Sequence, residues 1–251
     1  MSKYKIWFQG ATDRVHMAPY IAKVEAHLKA VLDPDFSGTF NTTTPPATTT
    51  HALTEFRVAG NFIRNVVEAE RQGYDAVAIT HFQDAGLMEA KSTVDIPVLG
   101  LGETSLYHAC TLGRKLGLVT INPVFIPWHE DQVIRYGLQQ RVIGVRAVDA
   151  KVSDFIAAFA GKQAYDALYP KWERECRALL DAGADVIVPA GGLPMMLCGT
   201  PEANIDGAPI VNGITVIAKT AEVYIKMHTR VSRRSNFAKP PEKALREFLG
   251  S

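Results

Sequence analysis

Cysteine is scarce in this chain. Its 251 residues include only Cys110, Cys176 and Cys198, an odd number without metal-ligand spacing. That argues against a disulfide frame and fits reduced thiols in a cytoplasmic protein. Long apolar runs are absent too. None approaches the ~20 residues that span a bilayer, and Ile6-Trp7-Phe8 is too short a run for a signal peptide. Neither sign of charge dominates, with 27 Lys+Arg against 26 Asp+Glu. A broad basic field for nucleic acid or an acidic membrane is therefore not expected. The local exception is a basic tail, Arg230, Arg233, Arg234, Lys239, Lys243 and Arg246, read as a solvated helix face or a subunit contact in a homo-oligomer.

Several catalytic signatures are missing as well. The seven histidines form no His-x-His or His-Glu-x-x-His cluster. Gly-x-x-x-x-Gly-Lys and Gly-x-Gly-x-x-Gly do not occur, and neither does a Gly-x-Ser-x-Gly elbow. No cofactor and no resident metal are expected, although His16 or His51 could in principle converge on His81 through the fold.

What is present is an alternation of short apolar runs with helical patterns. Lys5 to Gln9, Asp75 to Thr80, Ile96 to Leu101, Gly117 to Ile121, Arg141 to Ala147 and Asp185 to Pro189 read as buried strands. Helical stripes cover Ala18 to Leu32, Ala59 to Gln72 with Gly73 as a stop, Ala164 to Ala182, and Ile214 to Met227. This order predicts an α/β fold, with mainly parallel sheets flanked by helices. Phe36 to Thr50 breaks the pattern. It is polar, rich in threonine and carries Pro45 and Pro46, so it reads as an irregular connection or a hydroxyl-rich loop at the mouth of a site.

The chain also resembles itself. Gln72-Gly73-Tyr74-Asp75-Ala76-Val77-Ala78-Ile79 aligns with Ala182-Gly183-Ala184-Asp185-Val186-Ile187-Val188-Pro189 at an offset of 110 positions. The same offset lays Leu118-Val119-Thr120 on Phe8-Gln9-Gly10. Two matches at one offset predict two similar, pseudo-twofold related lobes. Ligands of open parallel sheets sit at the C-terminal strand ends, so the site is expected in the cleft between the lobes. His81 and Gly191 then occupy equivalent places, one in each lobe. The expected division is residues 1–103 plus 212–251 for the first lobe and 104–211 for the second.

The segments Gly73 to Leu87, Val94 to Glu103, Arg135-Tyr136-Gly137-Leu138, Val145-Arg146-Ala147, Gly183 to Val188 and Ile210-Val211-Asn212-Gly213 resemble those of hydantoin racemases, within the aspartate/glutamate racemase superfamily. The resemblance implies a cofactor-independent enzyme in which a cysteine at each of two strand ends serves one face of a carbon next to a carbonyl. Here those positions hold His81 and Gly191, and Cys198 reads as a packed side chain. An imidazole, with an ordinary pKa of about 6.5, can act as acid or base near neutrality. Glycine cannot move a proton, so a one-sided lyase, isomerase or hydrolase reaction by His81 is the leading expectation. The substrate would be a small carboxylate or cyclic amide. The alternatives are a racemase or epimerase using His81 with an unidentified second acid, and a non-catalytic binding protein. Thr12, Thr80, Phe82, Thr104, Ser105, Thr120, Gly191 and Gly192 are the candidate substrate contacts, the two glycines through backbone N–H groups that approach an anion closely.

Overall fold

The apolar runs pair as parallel strands. In the computed structural model, which describes residues 2–200, 202–234 and 237–250, β1 (Tyr4–Gln9), β2 (Phe36–Asn41), β3 (Ala76–Ile79) and β4 (Val98–Gly100) form one sheet in the order β2-β1-β3-β4. A second parallel sheet has the order β6-β5-β7, from β5 (Leu116–Thr120), β6 (Val142–Ala147) and β7 (Val186–Ala190). A small antiparallel hairpin of β8 (Asn204–Ile205) and β9 (Ala208–Pro209) follows. The helices are α1 (Ala18–Val31), α2 (Ala52–Arg71), α3 (Leu87–Thr93), α4 (Leu101–Leu112), α5 (Ile126–Arg135), α6 (Val152–Ala160), α7 (Lys162–Asp181), α8 (Gly192–Cys198), α9 (Gly213–Lys226) and α10 (Glu242–Leu249). None is long and apolar enough to cross a membrane among the described residues.

The internal repeat holds in three dimensions for the central strand pairs. Ile6 pairs with Ala76 in the first sheet and Leu116 with Val186 in the second, each position displaced by 110. Helices α2 and α7 are both 20 residues long and obey the same shift. Four buried positions correspond, Val58 with Leu168, Phe62 with Trp172, Val66 with Cys176 and Ala69 with Leu179. That spacing is a helical stripe facing a sheet. Each helix ends at a glycine with positive φ, Gly73 at 71° and Gly183 at 101°, a conformation that costs other residues a steric penalty. Each repeat then enters its strand through an aspartate: Asp75 accepts from the backbone of Lys5, and Asp185 from that of Lys115. Burying the matched side chains stabilises each lobe by ~1.5–3 kcal/mol per large residue.

Three expectations need correction. Phe36 to Asn41 is not irregular but the edge strand β2, in register with β1 from Tyr4–Phe36 to Gln9–Asn41. Phe36 and Phe40 supply the buried anchors that its polar residues mask in the sequence. Helix α2 begins at Ala52, a full two turns before the predicted start, because the His51 side chain accepts from Thr54 N and caps it. The basic tail is partly an intrachain strap. Arg233 donates to the carbonyls of Lys91, Ser92 and Val94, and Arg233 and Lys239 both pair with Asp95. Helix α10 then lays Leu245 and Leu249 against the core beneath α2.

Candidate active site

The end of β3 delivers His81 to the first turns of α2. Its Nε2 lies 2.8 Å from Glu55 Oε2, with both side chains less than one-fifth exposed. Phe62, one of the buried stripe residues of α2, meets the ring edge-on at 5.8 Å. Burial alone would raise the Glu55 carboxyl, but the charge and hydrogen bond of His81 outweigh it and hold Glu55 below the usual carboxylate range. An ionised Glu55 can only accept, so Nε2 carries a proton, and in the neutral form of the ring the lone pair then lies at Nδ1. That nitrogen has no hydrogen-bond partner among the described residues. A base oriented by a carboxylate, with its second nitrogen free, is the arrangement that general base catalysis requires.

Behind His81 runs a buried polar network that joins the two sheets. Asp84 is 1% exposed and accepts from Gly102 N at 3.0 Å, Glu103 N at 2.7 Å, Gln132 Nε2 at 3.1 Å and the Tyr136 hydroxyl at 2.6 Å. Gln132 Nε2 also donates to Phe82 O at 2.5 Å, which fixes its amide and turns Oε1 toward His129 Nδ1 at 3.3 Å. His129 Nδ1 therefore carries the proton, and Nε2 accepts from Thr120 Oγ1 at 3.2 Å. Thr120 in turn lies 3.4 Å from Ala190 O, next to Gly191. The ring of Phe82 meets that of His129 edge-on at 5.2 Å. An unbroken chain of contacts thus runs from the residue after His81 to the residue before Gly191.

The two titrating groups of this network oppose each other with pH. Burial pushes the Asp84 carboxyl from 3.8 up to about 6, against the pull of the Tyr136 hydroxyl and the two N–H groups. Burial pushes His129 from 6.5 down to about 4. A raised carboxylic acid binds more protons folded than unfolded, so its contribution to stability falls as pH rises from about 4 to 6. A lowered histidine binds fewer protons folded, so its contribution rises over about 4 to 6.5. Asp84→Asn removes the falling component alone. Its stability should climb more steeply than wild type between pH 4 and 6, by about 2–3 kcal/mol across the window. Urea unfolding at several pH values measures this, and parallel curves for the two proteins would refute it.

The remaining predicted contacts divide. Thr80 Oγ1 donates to Gln9 O at 3.0 Å and Thr104 Oγ1 to Gly100 O at 2.8 Å, so their protons serve the backbone, not an anion. Phe82 is buried against His129 instead of lining an opening. Ser105 is fully buried where α4 packs on α9, against Gly213, and its hydroxyl has no partner among the described residues. Thr12 Oγ1, after the end of β1, is likewise buried and has no partner among the described residues. Thr120 is committed to the His129 network. Gly191 and Gly192 open α8, with Gly191 at φ 154°, ψ 149°. That region belongs almost solely to glycine. Gly191→Cys should therefore cost about 1–3 kcal/mol of stability, read as a lowered urea midpoint; an unchanged midpoint would show that the turn relaxes freely. Cys198 is a packed side chain, as expected, with its thiol pushed up to about 12 by burial.

The sequence reading missed Glu55, Asp84, His129, Gln132 and Tyr136. Glu55 lay outside the helix as drawn from the pattern, although an acid in a first turn is a usual helix-start signal. Asp84 and Tyr136 stand inside the segments quoted for the resemblance, but nothing local distinguishes a buried carboxylate from an exposed one. A groove of about 1110 Å³ passes this side of the site, lined by Glu55, Asn61, Asp84, Glu103, Trp128 and Tyr136 among others. His16 pairs with Asp13 and His51 caps α2, so neither joins His81. Among the described residues no three His, Cys, Asp or Glu side chains converge as a metal site.

Two parallel sheets with matched central strands, flanked by helices, and a carboxylate-backed imidazole at one strand end define an α/β frame with a candidate acid–base site. The family model described as Asp/Glu/Hydantoin racemase matches residues 18–221, and the chain belongs to that family. A hydantoin racemase of Pseudomonas sp. (strain NS671) is 28% identical over 215 residues, covering 82% of this chain and 79% of that protein. One from Rhizobium meliloti is 28% identical over 204 residues, covering 81% and 82%. Among solved structures, an allantoin racemase from Klebsiella pneumoniae matches with a TM-score of 0.80 at 20% identity, over 96% of this chain and 95% of that one. Glutamate racemase from Thermus thermophilus matches with a TM-score of 0.61 at 15% identity, over 99% and 92%. At these identities the solved structures speak to the fold alone.

Proposed function

We propose that the protein is a cofactor-independent racemase or epimerase of a carbon acid next to a carbonyl, in a cyclic ureide or related small amide. The family and the naming of its relatives support this over the lyase or hydrolase step expected from Gly191. The observation that carries it is the His81 Nε2–Glu55 hydrogen bond of 2.8 Å, which leaves Nδ1 as a free, oriented base. Removal of the proton by Nδ1 sends the C–H electron pair into the neighbouring carbonyl as an enolate. Inversion follows when a proton returns to the opposite face. Glu55 stabilises the imidazolium formed in between and holds the ring's tautomer. The buried Asp84–Gln132–His129–Thr120 network takes no proton in this scheme; it fixes the relation of the two strand ends.

The test is solvent exchange. Each enantiomer of several 5-monosubstituted hydantoins and of allantoin is incubated with the protein in D₂O, with aspartate and glutamate as carboxylate controls. Loss of optical rotation together with deuterium at the stereocentre is the expected result. Ring-opened or decarboxylated product, or no exchange above the protein-free rate, would overturn the proposal, the last outcome favouring a binding protein.

A further inference from the structure

Racemisation needs a proton on each face, and Gly191 supplies none. The second-lobe turn is nonetheless occupied. Tyr20, on α1, reaches across from the first lobe, and a methyl group added at Gly192 would collide with its hydroxyl. The residue is only 4% exposed, and its hydroxyl meets no hydrogen-bond partner among the described residues. Its ring packs edge-on against Phe159 at 5.6 Å, contact that a phenylalanine would make equally well. Packing therefore explains the ring and leaves the hydroxyl without a role. That hydroxyl lies against the Gly191–Gly192 turn that opens α8. Gly192 keeps that space clear, and Gly191 beside it keeps the turn free of side chain.

We infer that the Tyr20 hydroxyl is the second proton donor of the reaction, facing the side of the substrate carbon opposite His81. This rests on the racemase reading above. In the forward sense the C–H bond breaks, its proton passes to His81 Nδ1 and its electron pair enters the carbonyl. The enolate carbon then takes the proton of the Tyr20 O–H, forming a new C–H bond on the other face and leaving a tyrosinate. Water returns a proton to the tyrosinate and removes one from the imidazolium, so the cycle closes without an added reagent. For the mirror-image substrate the reacting form is the one in which water has carried the Tyr20 proton to His81. The tyrosinate then removes the substrate proton and the imidazolium delivers one to the opposite face. Burial raises the phenol above its ordinary range, which keeps Tyr20 protonated at rest and ready as the acid.

The experiment compares wild type, Tyr20→Phe and Gly192→Ala as full-length proteins, using the hydantoin and allantoin panel in D₂O. Wild type should exchange and racemise both enantiomers. Tyr20→Phe should lose racemisation by about 10²-fold or more, while still exchanging the proton of one enantiomer with retention, through His81. Gly192→Ala, which displaces the hydroxyl without removing it, should show the same one-sided exchange. Retained exchange itself reports a folded site, so a general loss of structure is separable from the predicted pattern. Racemisation by Tyr20→Phe within threefold of wild type would overturn the Tyr20 assignment and leave the racemase reading intact. A wild-type protein that exchanges nothing on the panel would overturn both.

Discussion

His81→Gln should lower racemisation by about 10²- to 10⁴-fold, the usual contribution of one positioned proton-transfer group. Glutamine is chosen because its amide can still donate to Glu55, so the first turn of α2 keeps a partner for a carboxylate that is largely enclosed. What disappears is the titrating nitrogen. The ring lies at the end of β3, not inside the sheet, and Phe62 touches it only edge-on. The fold should therefore survive, with a thermal midpoint near wild type. The expected signature is a fall in kcat with little change in substrate affinity, since no binding contact is assigned to Nδ1 itself. Activity within threefold of wild type would remove His81 from the chemistry.

The largest effect on stability is expected from Asp84→Ala. Four donors converge on this carboxylate: two N–H groups at the start of α4, the Gln132 amide and the Tyr136 hydroxyl of the α5 end. Truncation removes the acceptor they share, and each buried donor without a partner costs about 1–3 kcal/mol. The losses share one site and do not add fully, so about 4 kcal/mol is expected in total. Part of it comes from the backbone, because Asp84 sits at φ 55°, where alanine is less at ease than aspartate or asparagine. Asp84→Asn, which keeps that conformation and some acceptors, should lose clearly less. Urea unfolding of the two variants distinguishes these; an alanine variant within 1 kcal/mol of wild type would mean the network is not structural.

Much of the frame was legible because the repeat leaves its mark in the residues. The Gly-x-Asp step before each central strand, the apolar stripes of α2 and α7, and the offset of 110 all survive as one-dimensional patterns, and the registers Ile6–Ala76 and Leu116–Val186 follow them. Strand β2 escaped because an edge strand needs only alternate anchors, here Phe36 and Phe40, among polar neighbours. His81 was legible from its place at a strand end. Glu55, 26 residues earlier, was not, since the pair exists only once α2 packs over β3. The same holds for His129, whose partners come from β5 and from its own helix. Threonine hydroxyls were over-read: Thr80 and Thr104 find carbonyls close in the chain or across the sheet before any ligand arrives.

The matched halves differ where the chemistry lies. Under the shift of 110, Glu55 corresponds to Tyr165 and His81 to Gly191, and the backbone bond Glu55 N–His51 O has its counterpart in Tyr165 N–Gly161 O. Mirror-image substrates interconvert with an equilibrium constant of unity, which obliges kcat/KM to be the same in both directions however dissimilar the flanking groups are. A lopsided catalyst must then reveal itself in its separate constants: the enantiomer turned over faster at saturation has to be held more weakly, by the same factor. Only a substrate carrying a second, fixed stereocentre escapes that bookkeeping, and with it the direction of net flux could favour one epimer.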